Sequence, residues 1–153
     1  MNIIEELEKI YNEIDLDYSN KEFEARSKDY NRKEESYQNI RSINDHAYFL
    51  LAFTRLEDRI KTIARDLIKN KIVILTSWSH KRVWNILKKR EDNGNLHFLE
   101  YVELLTEKGN TDYNLIQDYY RDRNDVAHGG LLSSINMARV FEDFKRLYRD
   151  LAT

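Results

Sequence analysis

The stretch Tyr37–Lys69, YQNIRSINDHAYFLLAFTRLEDRIKTIARDLIK, decides the fold class of this chain. Its apolar residues recur every three or four positions, which places them along one face of an α-helix. These residues are Ile40, Ile43, Ala47, Leu50, Phe53, Leu56, Ile60, Ile63 and Leu67. The pattern therefore predicts one long helix that buries this face against the rest of the protein.

The remainder of the chain is also expected to be helical. Its 153 residues include no proline and only four glycines, the two residue types that disturb helices most. Shorter apolar repeats, each bounded by a polar cap or a glycine, predict the other helices. They cover 3–16, a segment from Ser77 or Ser79 to the Asn93-Gly94-Asn95 turn, 96–107, a segment from Thr111 or Asp112 to Gly129-Gly130, and a last helix capped by Ser133 or Ser134.

These elements indicate an all-α fold, a helical bundle of five to seven helices. The length predicts a single domain over residues 1–153, with an N-terminal helical extension at 1–36 and a core at 37–150. Residues 20–36 are very polar and form either a solvated helix or a mobile connection. The apolar run Ile72–Leu75 has no partner strand in the pattern, so we interpret it as a buried connection or a helix end.

Composition limits the function classes. The chain has no cysteine, which excludes disulfides and thiolate metal sites and favours a cytoplasmic location. No segment is apolar enough over its length to cross a bilayer, so no membrane association is expected. The formal net charge of −2 does not indicate a globally basic nucleic-acid binder. Clustered lysines and arginines can still bind phosphates locally.

A metal site is not expected. No two of the four histidines, His46, His80, His97 and His128, have ligand spacing on one helix. Three carboxylates at i, i+4 and i+7 share one helical face and could attract a hard cation. They are Asp118, Asp122 and Asp125. We favour a solvated face instead, since Arg121 is spaced to pair with them, and we expect no cofactor.

The segment Arg123–His128, RNDVAH, is the strongest candidate for chemistry. It lies where a helix is expected to end, just before Gly129-Gly130. A histidine at a helix C-terminus is placed for proton transfer, and a guanidinium matches the geometry of phosphate. Asn124 adds a neutral donor and acceptor. Together Arg123, Asn124 and His128 are suited to bind a phosphodiester and move its protons.

This segment resembles the hallmark of the HEPN superfamily, in which Arg is followed by four to six residues and then His, often with Asn after the Arg. The layout is similar as well, because HEPN domains are helical bundles with the motif near the end of a late helix. The stretch 45–67, DHAYFLLAFTRLEDRIKTIARDL, looks like the long early helix of prokaryotic members. The resemblance covers roughly residues 37–150.

The resemblance implies a metal-independent endoribonuclease that leaves 2′,3′-cyclic phosphate and 5′-hydroxyl ends. His128 would perform acid–base catalysis, Arg123 would stabilise the phosphorane-like transition state, and Asn124 would orient the substrate or its neighbours. HEPN enzymes typically dimerise so that both motifs face one cleft, which predicts a homodimer. Catalytically silent HEPN modules that bind RNA or nucleotides, or serve as subunits of larger complexes, are the alternative. A purely structural helical dimer is the third class.

The resemblance also suggests a biological setting in toxin–antitoxin or antiviral defence systems. Control would then come from an antitoxin or another regulatory protein partner. One HEPN branch carries Tyr two residues after the His and is modified there by nucleotide transfer. This chain has Gly130 at that position, so that mode of control is not expected.

Other Arg–His pairs in the chain have the same spacing. They are Arg41 to His46, Arg90 to His97, and Arg121 to His128. Only the Arg123–His128 pair combines an Asn directly after the Arg with a small residue directly before the His and a Gly-Gly stop directly after it. Two structural interpretations stay open too: Arg123 as an ion-pair partner of Asp118 or of an acidic residue elsewhere, and His128 as a helix cap. Residues five apart point about 140° from each other on an ideal helix. The pair therefore converges only if the helix breaks or two chains build the site.

RNA is the expected partner, and a local basic rim is expected to bind it. The candidate residues for this rim are Lys81, Arg82, Lys88, Lys89 and Arg121.

Overall fold

The computed structural model describes residues 2–130, 132 and 134–151. These residues form six α-helices and no strand. In chain order the helices are α1 (Ile3–Ser27), α2 (Asn31–Ile74), α3 (Trp78–Asp92), α4 (Phe98–Leu105), α5 (Thr111–Ala127) and α6 (Met137–Asp150). The predicted all-α class is confirmed, and the number of helices lies inside the predicted range.

The first helix begins with a reciprocal cap. The Asn2 side chain accepts a hydrogen bond from the Glu5 amide at 3.0 Å, and the Glu5 carboxylate accepts one from the Asn2 amide at 2.9 Å. Such a box satisfies two amides that a helix start leaves without partners. A short turn with Asp29 at φ 54° then separates α1 from α2. Of the two readings of residues 20–36, the solvated helix is the correct one, interrupted only by this turn.

The chain divides into two compact units. The first unit comprises Met1–Arg55 and Tyr120–Arg146, and the second comprises Leu56–Tyr119 and Leu147–Thr153. Since α1 shares the first unit with the start of α2, the N-terminal segment packs within that unit. The single domain and its division at residue 36 stay predictions.

Aromatic rings form the centre of the first unit. Phe49, Phe53 and Phe144 pack together with ring centroids 6.0–6.5 Å apart. Tyr11 of α1 contacts Phe141 of α6 at 5.5 Å between centroids. Each buried ring contributes roughly 1.5–3 kcal/mol through its removal from water, so this cluster joins α1, α2 and α6.

Aliphatic residues of α2 form the centre of the second unit, where Leu56, Ile60 and Ile68 are fully buried. They share this unit with buried side chains of α4, α5 and α6, which are Phe98, Tyr101, Val102, Tyr113, Ile116 and Leu147. Each unit thus has its own apolar core surrounded by helices.

The buried face of α2 differs in part from the predicted one. Its N-terminal half buries His46, Phe49 and Ala52, whereas Ile43 is 66 % exposed. From Phe53 onward the prediction holds better, since Leu56 and Ile60 are buried. The prediction was wrong here because the N-terminal half of α2 carries apolar side chains along two adjacent rows of its surface. The ridge that carries the larger Phe49 side chain removes more area from water than the ridge of Ile43.

The end of α2 and the whole of α3 are unusually exposed. The run Ile72–Leu75 is a helix end, as one of the two readings had it, but Val73 and Ile74 are 79 % and 72 % exposed rather than buried. Helix α3 follows Ser77, as predicted, and contains no buried residue. Among the described residues, no helix is long and apolar enough to cross a membrane.

Asparagines cap the late helices where serine or threonine was expected. The Asn110 side chain accepts from the Tyr113 amide at 2.7 Å at the start of α5, and Asn136 accepts from the Arg139 amide at 3.1 Å at the start of α6. Ser134 therefore does not cap α6, and Ser133 lies outside the described residues. Asparagine is as good an N-cap as serine, so local sequence alone did not distinguish the candidates.

Candidate active site

The C-terminal end of α5 carries the RNDVAH segment. The His128 amide donates to the Asn124 carbonyl at 3.0 Å, so helical hydrogen bonding continues to this residue. Beyond it, the Gly129 amide donates to Val126 O at 3.0 Å and the Gly130 amide to Asp125 O at 2.8 Å. This pair of bonds is a Schellman motif, in which Ala127 is the last helical residue and His128 is the C-cap.

The two glycines are what this helix end requires. Gly129 has φ 86°, a left-handed conformation that costs other residues about 1–2 kcal/mol. A Cβ at Gly130 would lie 2.7 Å from the carbonyl oxygen of Asp125, which is too close for any side chain. The tyrosine that one HEPN branch carries at the position of Gly130 is therefore incompatible with this conformation.

Arg123, Asn124 and His128 are presented differently to solvent. Arg123 and Asn124 are half-buried, and Arg123 Nη1 donates to Asn124 Oδ1 at 2.9 Å. His128 is exposed. Asn124 thus binds the Arg123 guanidinium, while the His128 side chain is exposed to solvent.

The helix does not break between Arg123 and His128. Continuous α-helix extends to Ala127, and the His128 amide completes the next helical bond. The two side chains therefore leave the axis about 140° apart, as on an ideal helix. Of the two ways in which these groups can converge, only the meeting of two chains is compatible with this helix.

The pair Arg41 and His46 is engaged in structural contacts. Arg41 donates to Asp15 at 2.8 Å and to Glu22 at 2.8 Å, and these hydrogen bonds raise the pKa of the guanidinium. Hydrogen bonds from Gln38 and then Arg41 lower the pKa of Glu22. Because these charges already satisfy one another, Arg41 is a poor candidate for a phosphate.

Arg90 and His97 are also structural. Arg90 forms a 2.7 Å ion pair with Glu100, whose carboxylate in turn accepts from the His97 amide at 2.9 Å. This backbone hydrogen bond, followed by Arg90, lowers the pKa of Glu100. The pair thus stabilises the start of α4.

A buried hydrogen bond supports the helix next to the Arg41 contacts. The Tyr11 hydroxyl donates to Asp45 Oδ1 at 2.7 Å. Burial first, and this bond second, raise the pKa of Tyr11, while burial also raises the pKa of Asp45. The contact joins α1 to α2 in the first unit.

The predicted carboxylate stripe is spread along α5. Asp118 and Asp125 are exposed and Asp122 is half-buried. Over the described ranges, no three histidine or acidic side chains are grouped closely enough to hold a metal ion.

The basic residues expected to bind RNA belong to different units. Lys81, Arg82, Lys88 and Lys89 lie in the second unit, and Arg121 lies in the first with the RNDVAH segment. Arg82, Lys89 and Arg121 are exposed. Lys88 instead forms a hydrogen bond with Asp92, which lowers the pKa of that carboxyl.

Two residues were not assigned a role from sequence. Trp78 begins α3 and is 69 % exposed, an orientation that suits stacking on a nucleic-acid base. The sequence could have indicated its exposure, because Trp78 directly follows the predicted helix cap Ser77. His46 was treated only as an alternative motif histidine, although it is buried and bonded at both ring nitrogens. No local pattern indicates those contacts.

Comparisons with protein-family models, with curated proteins and with solved structures found no match to this chain.

Proposed function

We propose that this protein is a metal-independent endoribonuclease of HEPN type. The observation that carries the proposal is the end of α5, where an intact helix presents an Asn124-bound Arg123 and an exposed His128. A guanidinium binds phosphate through paired hydrogen bonds, and an accessible imidazole exchanges protons near neutral pH. The resemblance of RNDVAH to the HEPN hallmark supports the same chemistry.

The reaction begins with attack of the RNA 2′-hydroxyl on the adjacent phosphorus. One histidine takes the hydroxyl proton while the new P–O bond forms. The bond from phosphorus to the 5′-oxygen then breaks, and a second histidine protonates the leaving oxygen. Arg123 stabilises the negative charge on the phosphorane-like transition state. Asn124 orients the guanidinium through the 2.9 Å bond rather than acting on the substrate directly.

A homodimer supplies the two histidines. Because the α5 helix is unbroken, Arg123 and His128 of one chain diverge, and a cleft between two copies brings both motifs together. One His128 then acts as base and the other as acid. Exposed cations of each unit, Arg121 in the first and Arg82 and Lys89 in the second, supply RNA affinity, and Trp78 of the second unit is available for stacking. A role in toxin–antitoxin or antiviral defence follows from the resemblance alone, as does control by a protein partner.

The decisive experiment is cleavage of single-stranded RNA in EDTA with analysis of the product ends. Wild-type protein should yield cyclic phosphate and 5′-hydroxyl ends. His128→Ala should reduce the rate about 10²–10⁴-fold, the usual contribution of a general acid or base. His80→Ala, which removes another exposed histidine, is the matched control and should retain full activity.

The substrate gives a second control. RNA with a single 2′-deoxy nucleotide should resist cleavage at that linkage, because the nucleophile is missing. Binding of RNA without cleavage would favour the silent HEPN module. Cleavage that requires magnesium, or that survives in His128→Ala, would contradict the proposal.

A further inference from the structure

The ring of His46 has a defined protonation state. It is 8 % exposed within α2, and its Nδ1 lies 2.6 Å from the carbonyl oxygen of Ser42. A carbonyl only accepts, so Nδ1 carries the hydrogen. Its Nε2 accepts a 3.1 Å hydrogen bond from the backbone amide of Leu132. An amide only donates, so Nε2 has none. The two contacts together assign the neutral Nδ1–H tautomer.

Leu132 lies in the segment between α5 and α6, four residues after His128. The Schellman motif holds one end of this segment, and the Asn136 cap holds the other. The hydrogen bond to His46 attaches the backbone amide of Leu132 to α2, across 86 residues of sequence. Four residues of chain span at most about 14 Å, so this attachment restricts where the end of α5 can move.

The part of α2 that carries His46 is bound to α1. Asp45 is bound by Tyr11, and Arg41 is bound by Asp15 and Glu22 of α1. Glu22, Arg41 and Asp45 line one side of an open cavity of about 310 Å³, and residues after α5 line the other side. The lining residues on that side are Leu132, Ser134 and Ile135. The His46 side chain thus lines the same cavity as Leu132.

From this geometry we propose that His46 is a positioning residue for His128. Its neutral ring holds the Leu132 amide, and through it the segment that follows the motif, so that the end of α5 presents His128 in one orientation. This role rests on the proposed ribonuclease function. A deviation of about 1 Å at a catalytic group is enough to slow a reaction about a hundredfold.

Two measurements on the wild-type protein test the contact without any activity assay. Long-range ¹H–¹⁵N correlation spectra should show His46 with a protonated Nδ1 and a bare Nε2. Hydrogen exchange should show a protected Leu132 amide, which becomes about fivefold faster or more in His46→Leu, as expected for the loss of one hydrogen bond. The opposite tautomer, or an unprotected Leu132 amide in the wild type, would overturn the proposal.

Substitutions test the positioning role. His46→Leu has no atom to accept from Leu132 and should lower kcat about tenfold or more with little change in KM. His46→Gln keeps a carbonyl acceptor and an N–H donor, so it should recover part of kcat. His80→Leu is the control for a histidine exposed on α3 and should leave both constants unchanged. Circular dichroism verifies that each variant remains folded.

Failure of the positioning role can be distinguished from failure of the proposed ribonuclease function. Full kcat in a folded His46→Leu protein whose Leu132 amide has become unprotected would refute the positioning role and leave the ribonuclease assignment intact. Absence of cleavage by the wild type would remove both, whatever the state of the hydrogen bond.

Discussion

Lys88 and Lys89 are neighbours on α3, but their ammonium groups have different surroundings. Lys88 is bound to Asp92, whereas Lys89 is exposed. Since each phosphate contact releases counterions, Lys89→Ala should weaken RNA binding and reduce the slope of log affinity against log salt by about 0.7. Titrations of single-stranded RNA at several salt concentrations, with His128→Ala as the catalytically inactive background, measure both quantities.

The matched control removes the neighbouring ion pair. Lys88→Ala combined with Asp92→Ala deletes a lysine without changing the net charge, so affinity and salt slope should stay close to those of the parent. Equal losses in the two variants would argue against local recognition by exposed cations.

Tyr11 gives the first unit a pH-dependent stability. Burial and the bond to Asp45 raise its pKa above the ordinary value of 10.0. The unfolded chain therefore loses this proton at a lower pH than the folded one. The contribution is complete below about pH 10 and declines as pH rises toward the folded pKa. Tyr11→Phe should cost about 1 kcal/mol at pH 7, with the difference from wild type shrinking above pH 10.

Urea unfolding of both proteins between pH 7 and pH 11 measures this effect. A difference in unfolding free energy that does not change over the range would contradict the assignment of the proton to a buried Tyr11–Asp45 contact.

At the scale of the helix, substitutions at the Gly-Gly end of α5 allow effects on stability to be distinguished from effects on catalysis. Gly129 and Gly94 both have positive φ, at 86° and 69°, and both have open space where a Cβ would be. Gly129→Ala and Gly94→Ala should therefore each destabilise the protein by about 1–2 kcal/mol. Only Gly129→Ala should also lower the rate of RNA cleavage, because it alone disturbs the helix end that carries His128.

Thermal unfolding and single-turnover cleavage of the two variants provide the comparison. Gly130→Ala extends it, because its Cβ would meet the Asp125 carbonyl and must open the Schellman motif. Equal cleavage rates in the Gly129 and Gly94 variants would indicate that the end of α5 takes no part in catalysis.

At the scale of the molecule, the unbroken α5 helix predicts that two chains share one site. A mixed dimer of one wild-type chain and one His128→Ala chain should be about as inactive as the His128→Ala homodimer, because the shared cleft then lacks either its acid or its base. Light scattering should find the wild-type protein as a dimer at micromolar concentration. A monomer, or a mixed dimer that retains about half of the wild-type cleavage rate, would contradict the shared site.

The sequence by itself determined the helical fold class, the approximate limits of α3, α4 and α5, and the stop at the end of α5. These features depend on neighbours in the chain: the 3.6-residue repeat, polar caps, and glycines where a helix stops. The Gly129-Gly130 stop after RNDVAH is such a local signal, and the Schellman motif there agrees with it. The predicted helices 3–16 and 37–69 are parts of the longer helices Ile3–Ser27 and Asn31–Ile74. Local signals did not decide between residues with similar N-cap preference, such as Asn136 and Ser134 at the start of α6.

Only the tertiary structure decided which face of α2 is buried and what His46 does. The apolar repeat included Ile43, yet Ile43 is exposed, because packing selects the ridge that best fits the rings of α1 and α6. His46 lies outside the predicted apolar repeat, and the sequence indicated it as the histidine of an alternative Arg–His pair. Its partner Leu132 lies 86 residues away, and a hydrogen bond across that separation exists only once both segments are packed together. The apolar repeat depends only on residues that are close in sequence. The role of a buried polar group depends on the residues that folding brings next to it.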